Sequence, residues 1–186
     1  MKKVLRGFLS FFSKFSKLTI FVALYIIVSA SFMFQVFKFV QTHIGKKGLV
    51  ILVGLLLAIP TLAFLIYTIL DNIKRKSFSL PKTLVIAIVL IMILVLAWQI
   101  ENFAERIHIV EYAILGWFAA RDLIKVNKKI KGAILACVFC AAVGLTDEIF
   151  QWILPYRYFD LNDIVFNALG GAWGGVLYLI TTEGRR

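Results

Sequence analysis

The chain has 186 residues, 61% of them hydrophobic and 15% aromatic, with a net charge of +11 and a mean hydropathy of +0.91. An ordinary soluble domain is nearer half apolar, and here the excess falls in runs of about 20 residues, the length that crosses a hydrocarbon core of about 30 Å. The positive charge does not indicate nucleic acid, because the Lys and Arg residues stand between the apolar runs, where cytoplasmic loops carry them.

Residues 1–17 mix Lys2, Lys3, Arg6, Lys14 and Lys17 with Phe8, Phe11, Phe12 and Phe15. The phenylalanines follow helical spacing, so this segment reads as a basic amphipathic helix on anionic membrane lipid. A cleaved signal peptide is the competing reading, with small residues at Ser29, Ala30 and Ser31. The apolar run continues past them to Phe37, which favours an uncleaved span.

Six runs follow in order: Leu18 to Phe37, Gly48 to Leu70 with Pro60 inside it, Thr83 to Ile100, Ile107 to Ile124, Gly132 to Ile153, and Leu161 to Thr182. The expected fold is an all-α membrane bundle of about six transmembrane helices. Residues 18–97 would hold the first three, residues 98–182 the last three with their polar motifs, and residues 183–186 a short tail. Of the 21 basic residues, 16 lie in the N-terminal segment, the second and fourth loops and the C-terminal tail; 5 lie in the other loops. That bias places both termini in the cytoplasm. Lys38, Lys46 and Lys47 run against it. Cys137 and Cys140 form a CxxC inside the fifth run, but no second pair completes a zinc site, and buried Cys behaves as a small hydrophobe.

The acidic residues are sorted differently. Glu101, Glu105, Glu111, Asp147, Glu148, Asp160 and Asp163 all fall around the third and fifth loops, the outer ones; Asp71, Asp122 and Glu183 stand at the other ends. At 1.5 Å per residue, Glu111 lies about 6 Å into the fourth helix and Asn167 about 9 Å into the sixth. Asp147 reaches a similar level from the opposite direction. Ionised groups cost roughly 2.5–3.5 kcal/mol at a membrane centre and less near its interface, so three helices with polar groups at one depth imply that those groups face each other. Spacing agrees: Glu105, His108, Glu111 and Tyr112 lie on one stripe, as do Asp147, Glu148 and Gln151, and Asp163 and Asn167. Arg157 stands alone among the fifth-loop acids and would balance them, Asp160 first. Gly170, Gly171, Gly174 and Gly175 supply two overlapping small-xxx-small pairs, which let a neighbouring helix approach closely.

The stretches ERIHIVEYAILGWFAAR (residues 105–121) and GLTDEIFQWILPYRYFDLNDIVFNALGG (residues 144–171) resemble the VanZ-like family of bacterial membrane proteins. The elements are Glu105, His108 and Tyr112; Asp147, Glu148 and Gln151; Pro155 and Arg157; Asp160 and Asp163; Asn167 and Gly170. The resemblance covers roughly residues 98–180. One departure is Phe150, where many members carry His. The resemblance implies a bacterial plasma-membrane location and, from the member that names the family, a link to teicoplanin tolerance.

Three functions compete. A binding or envelope-modulating protein would use an outward acidic pocket, built from Glu105 through Asn167, for a cell-envelope ligand, a glycopeptide or a cationic amphiphile. An intramembrane enzyme acting on a lipid-linked or glycan substrate would use Glu105, His108, Glu111, Asp147 and Glu148 as acid and base. A transporter would place such groups at the midplane of an inverted repeat, and neither feature is present. No nucleophile motif, phosphate loop or cofactor fingerprint is found. No cofactor and no metal are expected; if a divalent ion bound here, the oxygen ligands would suit Mg²⁺ or Mn²⁺.

Overall fold

The computed structural model describes residue 6 and residues 10–100, 102–154 and 159–182. Five helical stretches make up the body of these residues: α1 (Lys17–Lys74), α2 (Leu80–Gln99), α3 (Phe103–Val126), α4 (Lys129–Trp152) and α5 (Leu161–Thr182).

Helix α1 holds two of the six apolar runs. Its 58 residues would extend about 87 Å if straight, far more than one crossing. The chain breaks at Gly45, whose φ of 72° and ψ of 170° lie in a region that is essentially glycine-only. An added Cβ there would meet nothing within 4 Å, so backbone conformation alone requires the glycine. Packing shows that the chain reverses at this point. Phe37 before the break and Leu49 and Val53 after it share a core cluster with Ala97 and Ile109. Away from the break, Ser16 bonds to Asp122 and Phe64 packs on Trp117, both toward the far end of α3. The two arms of α1 are therefore antiparallel, and with α2 to α5 they make six crossings.

Four of the helices are long and apolar enough to span a membrane: α1, α2, α4 and α5. The outer faces carry large apolar side chains in the open, among them Phe21, Phe39, Ile51, Ile59, Ile88 and Ile130. Such a belt is stable only against lipid.

Helix α3 is the exception, and it occupies the centre. It packs against all four of the other helices. Ile109, Tyr112, Leu115, Ala119, Ala120 and Leu123 on it are fully buried. A helix with so little lipid contact does not need an apolar circumference, which is why it could take up Glu105, Arg106, His108 and Glu111. Its closest partner is α5. A Cβ on Gly174 would collide with the Ala113 carbonyl, one on Gly170 with the Ile109 carbonyl, and one on Gly116 with Gly171. Gly171 also receives Cys140 of α4. The small-residue stripe thus sets α5 against both α3 and α4, where dispersion and close backbone approach substitute for a hydrophobic driving force. Cys140 is buried there, and Cys137 turns its thiol to the Ala168 carbonyl at 3.6 Å.

At the opposite end from the break, Ser16 caps α1 and accepts from the Thr19 amide. Asp122 of α3 accepts from the Ser16 amide at 2.8 Å and from the Thr19 hydroxyl. Arg121 donates to Asp122 and to the Ser16 hydroxyl. Beside this clamp Phe15 stacks on Phe139 of α4, ring centres 4.2 Å apart, with Phe11 and Phe12 against it.

Candidate functional site

Helices α3, α4 and α5 each bring polar side chains to one level at the end nearer the break. His108 sits on the first turns of α3. Its Nδ1 lies 2.7 Å from Glu111 Oε2, and its Nε2 lies 3.7 Å from Asp147 Oδ2 on α4. The i,i+3 spacing gives the first contact; the tight α3–α4 packing gives the second. Which atom of the Nδ1–Glu111 pair donates follows the tautomer of the ring. The ring is nearly buried, Asp147 is 0% exposed and Glu148 is 1% exposed.

Glu148 works in another direction. One oxygen accepts from Gln151 Nε2 at 3.4 Å, and the other accepts from the backbone amide of Asp160 at 3.0 Å. It ties the end of α4 to the approach to α5. Asp160 in turn accepts from the Asn162 amide at 2.8 Å, the Asx geometry that starts a helix, and α5 begins there.

Tyr112 and Asn167 complete the interior. Tyr112 is 0% exposed and its ring meets His108 edge to face, with centroids 6.2 Å apart. Asn167 fills the space over Gly144, one turn from Asp147; a Cβ on Gly144 would lie 2.9 Å from Asn167 Cβ. Among the described residues, the Tyr112 hydroxyl and Asn167 Nδ2 have no hydrogen-bond partner. A buried polar group without a partner costs roughly 1–3 kcal/mol.

The predicted residues thus fall into two sets. His108, Glu111, Tyr112, Asp147, Glu148, Gln151 and Asn167 converge in the interior between three helices. Glu105, Asp160 and Asp163 lie toward the rim, with Glu105 accepting from Asn102 and Asp163 in the first turn of α5. Arg157, together with Pro155, lies outside the described residues. An apolar hollow of about 270 Å³ between α1, α2, α3 and α5, lined by Pro60, Phe64, Leu90, Ile93, Trp117 and Leu177 among others, includes none of the predicted residues. Among the described residues, no group of three or more His, Cys, Asp and Glu side chains is arranged to hold a metal ion.

Sequence reading passed over two polar centres. Asp122 looked like a helix-end charge, yet it is buried and holds the start of α1. The available signal was Ser16, an N-cap residue type directly ahead of an apolar run. Arg106 counted only as a loop charge; its ring partners, Trp98 and Phe103, could not be read from spacing alone.

A bundle of six crossings around a central helix that carries a buried imidazole and carboxylates defines a polytopic α-helical membrane protein with an internal polar cluster. The VanZ/LLP1 family model matches residues 5–182, and the chain belongs to that family. The match extends well beyond the polar motifs of residues 98–180 and takes in both arms of α1 and the whole of α2. No curated protein and no solved structure matches the chain.

Proposed function

We propose that this chain is a bacterial plasma-membrane protein, both termini cytoplasmic, whose outward acidic site engages the cationic part of an envelope ligand or amphiphile and so alters the interaction of the cell with glycopeptides. The observation that supports it is the surplus of carboxylate around one imidazole. Glu111 and Asp147 flank His108, Glu148 lies buried beside them, and Glu105, Asp160 and Asp163 stand at the rim. A partly desolvated acidic site attracts a cation strongly, because the low local dielectric magnifies its field. In this reading Arg157 balances part of that charge.

The test is teicoplanin tolerance in cells that express Asp147→Asn or Glu148→Gln at wild-type protein level, alongside direct binding of the glycopeptide to purified protein. A hydrogen bond to a charged group contributes roughly 1.5–3 kcal/mol, so binding should weaken about tenfold or more. Unchanged tolerance and unchanged binding would remove the reading.

A second reading is acid–base chemistry on a lipid-linked or glycan substrate. One observation favours it: both ring nitrogens of His108 face carboxylates, so the ring is held in a fixed orientation between two groups able to pass a proton. Conversion of such a substrate by wild-type protein, lost in His108→Gln, would select it over simple binding.

A further inference from the structure

Among the described residues, Glu105, Glu111, Asp147, Glu148, Asp160 and Asp163 belong to the end of the molecule that carries His108. Arg106 stands at that end, yet among the described residues no carboxylate lies within ion-pair distance of it. Its position is nonetheless fixed. The guanidinium carbon lies 4.9 Å from the centre of the Trp98 ring and 4.9 Å from that of Phe103, and Nε donates to the Ile100 carbonyl. That uses one of five N–H donors. The four on Nη1 and Nη2 have no acceptor among the described residues.

Arg121 at the other end provides the comparison. It also stacks on a ring, Phe118 at 5.0 Å, but its Nε goes to Asp122 and its Nη2 to Ser16. An arginine held by two aromatic faces and a carbonyl, with its outer edge left over, is oriented toward an anion that none of the described residues supplies. A partly buried guanidinium without a counter-ion is costly.

Trp98 links this edge to an apolar surface. A shallow furrow, open to the surroundings, runs along α2 beside Ile91, Leu94, Val95, Trp98 and Gln99. Ile91 and Trp98 are about 10 Å apart along the axis. Both are more than half exposed, on a helix long and apolar enough to span the membrane. Arg106 and His108 are about 200° apart around α3, so this surface is separate from the interior cluster. A cation at the level of a helix end above an apolar furrow matches one kind of molecule in a bilayer.

We propose that Arg106, Trp98 and the α2 furrow form a binding site for an anionic phospholipid of the leaflet at the His108 end. Its phosphate lies on the Nη1 and Nη2 edge of Arg106, and an acyl chain lies along Trp98, Leu94 and Ile91. Phosphate suits the planar fork, which donates two parallel bonds, and the furrow gives the chain a seat that a free anion could not use.

The test uses the full chain in nanodiscs with Trp98 as the reporter and Trp117, Trp152 and Trp173 replaced by Phe. The probes are phosphatidylglycerol and phosphatidylcholine with brominated chains, which quench a neighbouring indole. One arginine near a membrane surface contributes about 1 kcal/mol toward an anionic lipid, or about fivefold. Half-maximal quenching should therefore need about fivefold less phosphatidylglycerol than phosphatidylcholine. Arg106→Gln should equalise the two lipids, Arg106→Lys should keep part of the preference, and Lys125→Gln at the far end should keep all of it. Native mass spectrometry of protein with all four tryptophans, with and without Arg106→Gln, repeats the comparison should the Phe replacements unfold the chain. Equal affinity for both lipids in the parent, or a preference that survives Arg106→Gln, would overturn the proposal. Competition by glycerol phosphate at concentrations equal to the lipid would overturn it too, because the site would then be an anion site without a lipid seat.

Discussion

Tyr112 separates structure from function at the scale of one residue. Its hydroxyl is buried with no partner among the described residues, so the fold bears a cost of roughly 1–3 kcal/mol to keep it there. Tyr112→Phe removes that cost and leaves the ring packed against His108. Thermal unfolding in detergent should show the variant equal to or more stable than the parent, while glycopeptide tolerance falls. A fall in stability of more than about 1 kcal/mol would show that the hydroxyl serves the fold instead. Asn167→Leu makes a useful contrast, because its amide sits directly over Gly144. The branched side chain has no room to rearrange there, and overpacking costs typically 1–3 kcal/mol.

Helix by helix, two glycines that look alike in sequence should behave differently. Gly45→Ala meets no neighbour, so its penalty is the strained backbone alone, of order 1–3 kcal/mol. Gly174→Ala drives a methyl group into the Ala113 carbonyl and the Trp117 amide, and neither can move without separating α3 from α5. Denaturant unfolding in micelles should show a modest loss for the first and failure to form the bundle for the second. If Gly174→Ala unfolds like the parent, the α3–α5 contact is looser than described. The apolar runs, the glycine stripe and the shared depth of Glu111, Asp147 and Asn167 were all legible, because each depends on local period and rise. Sequence placed a loop near Lys46 and Lys47, and the reversal there is confined to Gly45, with helix on either side. The clamp on Asp122 and the aromatic seat of Arg106 were not legible. Each depends on which distant or neighbouring helix comes into contact; Ser16 marks the start of α1 but does not say that its partner is Asp122.

For the molecule as a whole, the arrangement of charges predicts orientation. Asn102 and Asn127 stand at opposite ends of α3, and the basic loops flank Asn127. With Cys137 and Cys140 replaced by Ala, a membrane-impermeant thiol reagent on intact cells should label Asn102→Cys and spare Asn127→Cys. The reverse pattern would put the carboxylates in the cytoplasm and remove the outward site. Either result leaves the internal packing unchanged, because the two arms of α1 must still reverse at Gly45.

The bond from the Ser16 amide to Asp122 joins residues 106 apart, and synthesis gives that separation a duration. At about 5–20 residues per second, Ser16 waits roughly 5–20 s before Asp122 leaves the ribosome. During that interval the first crossing has no acceptor for its leading amide and no Phe139 for Phe15 to stack on. The start of the chain is therefore among the last parts to be secured, although it is the first to be made. Asp122→Ala should leave insertion intact and keep residues 10–16 open to protease in the finished protein, as they are in the nascent one.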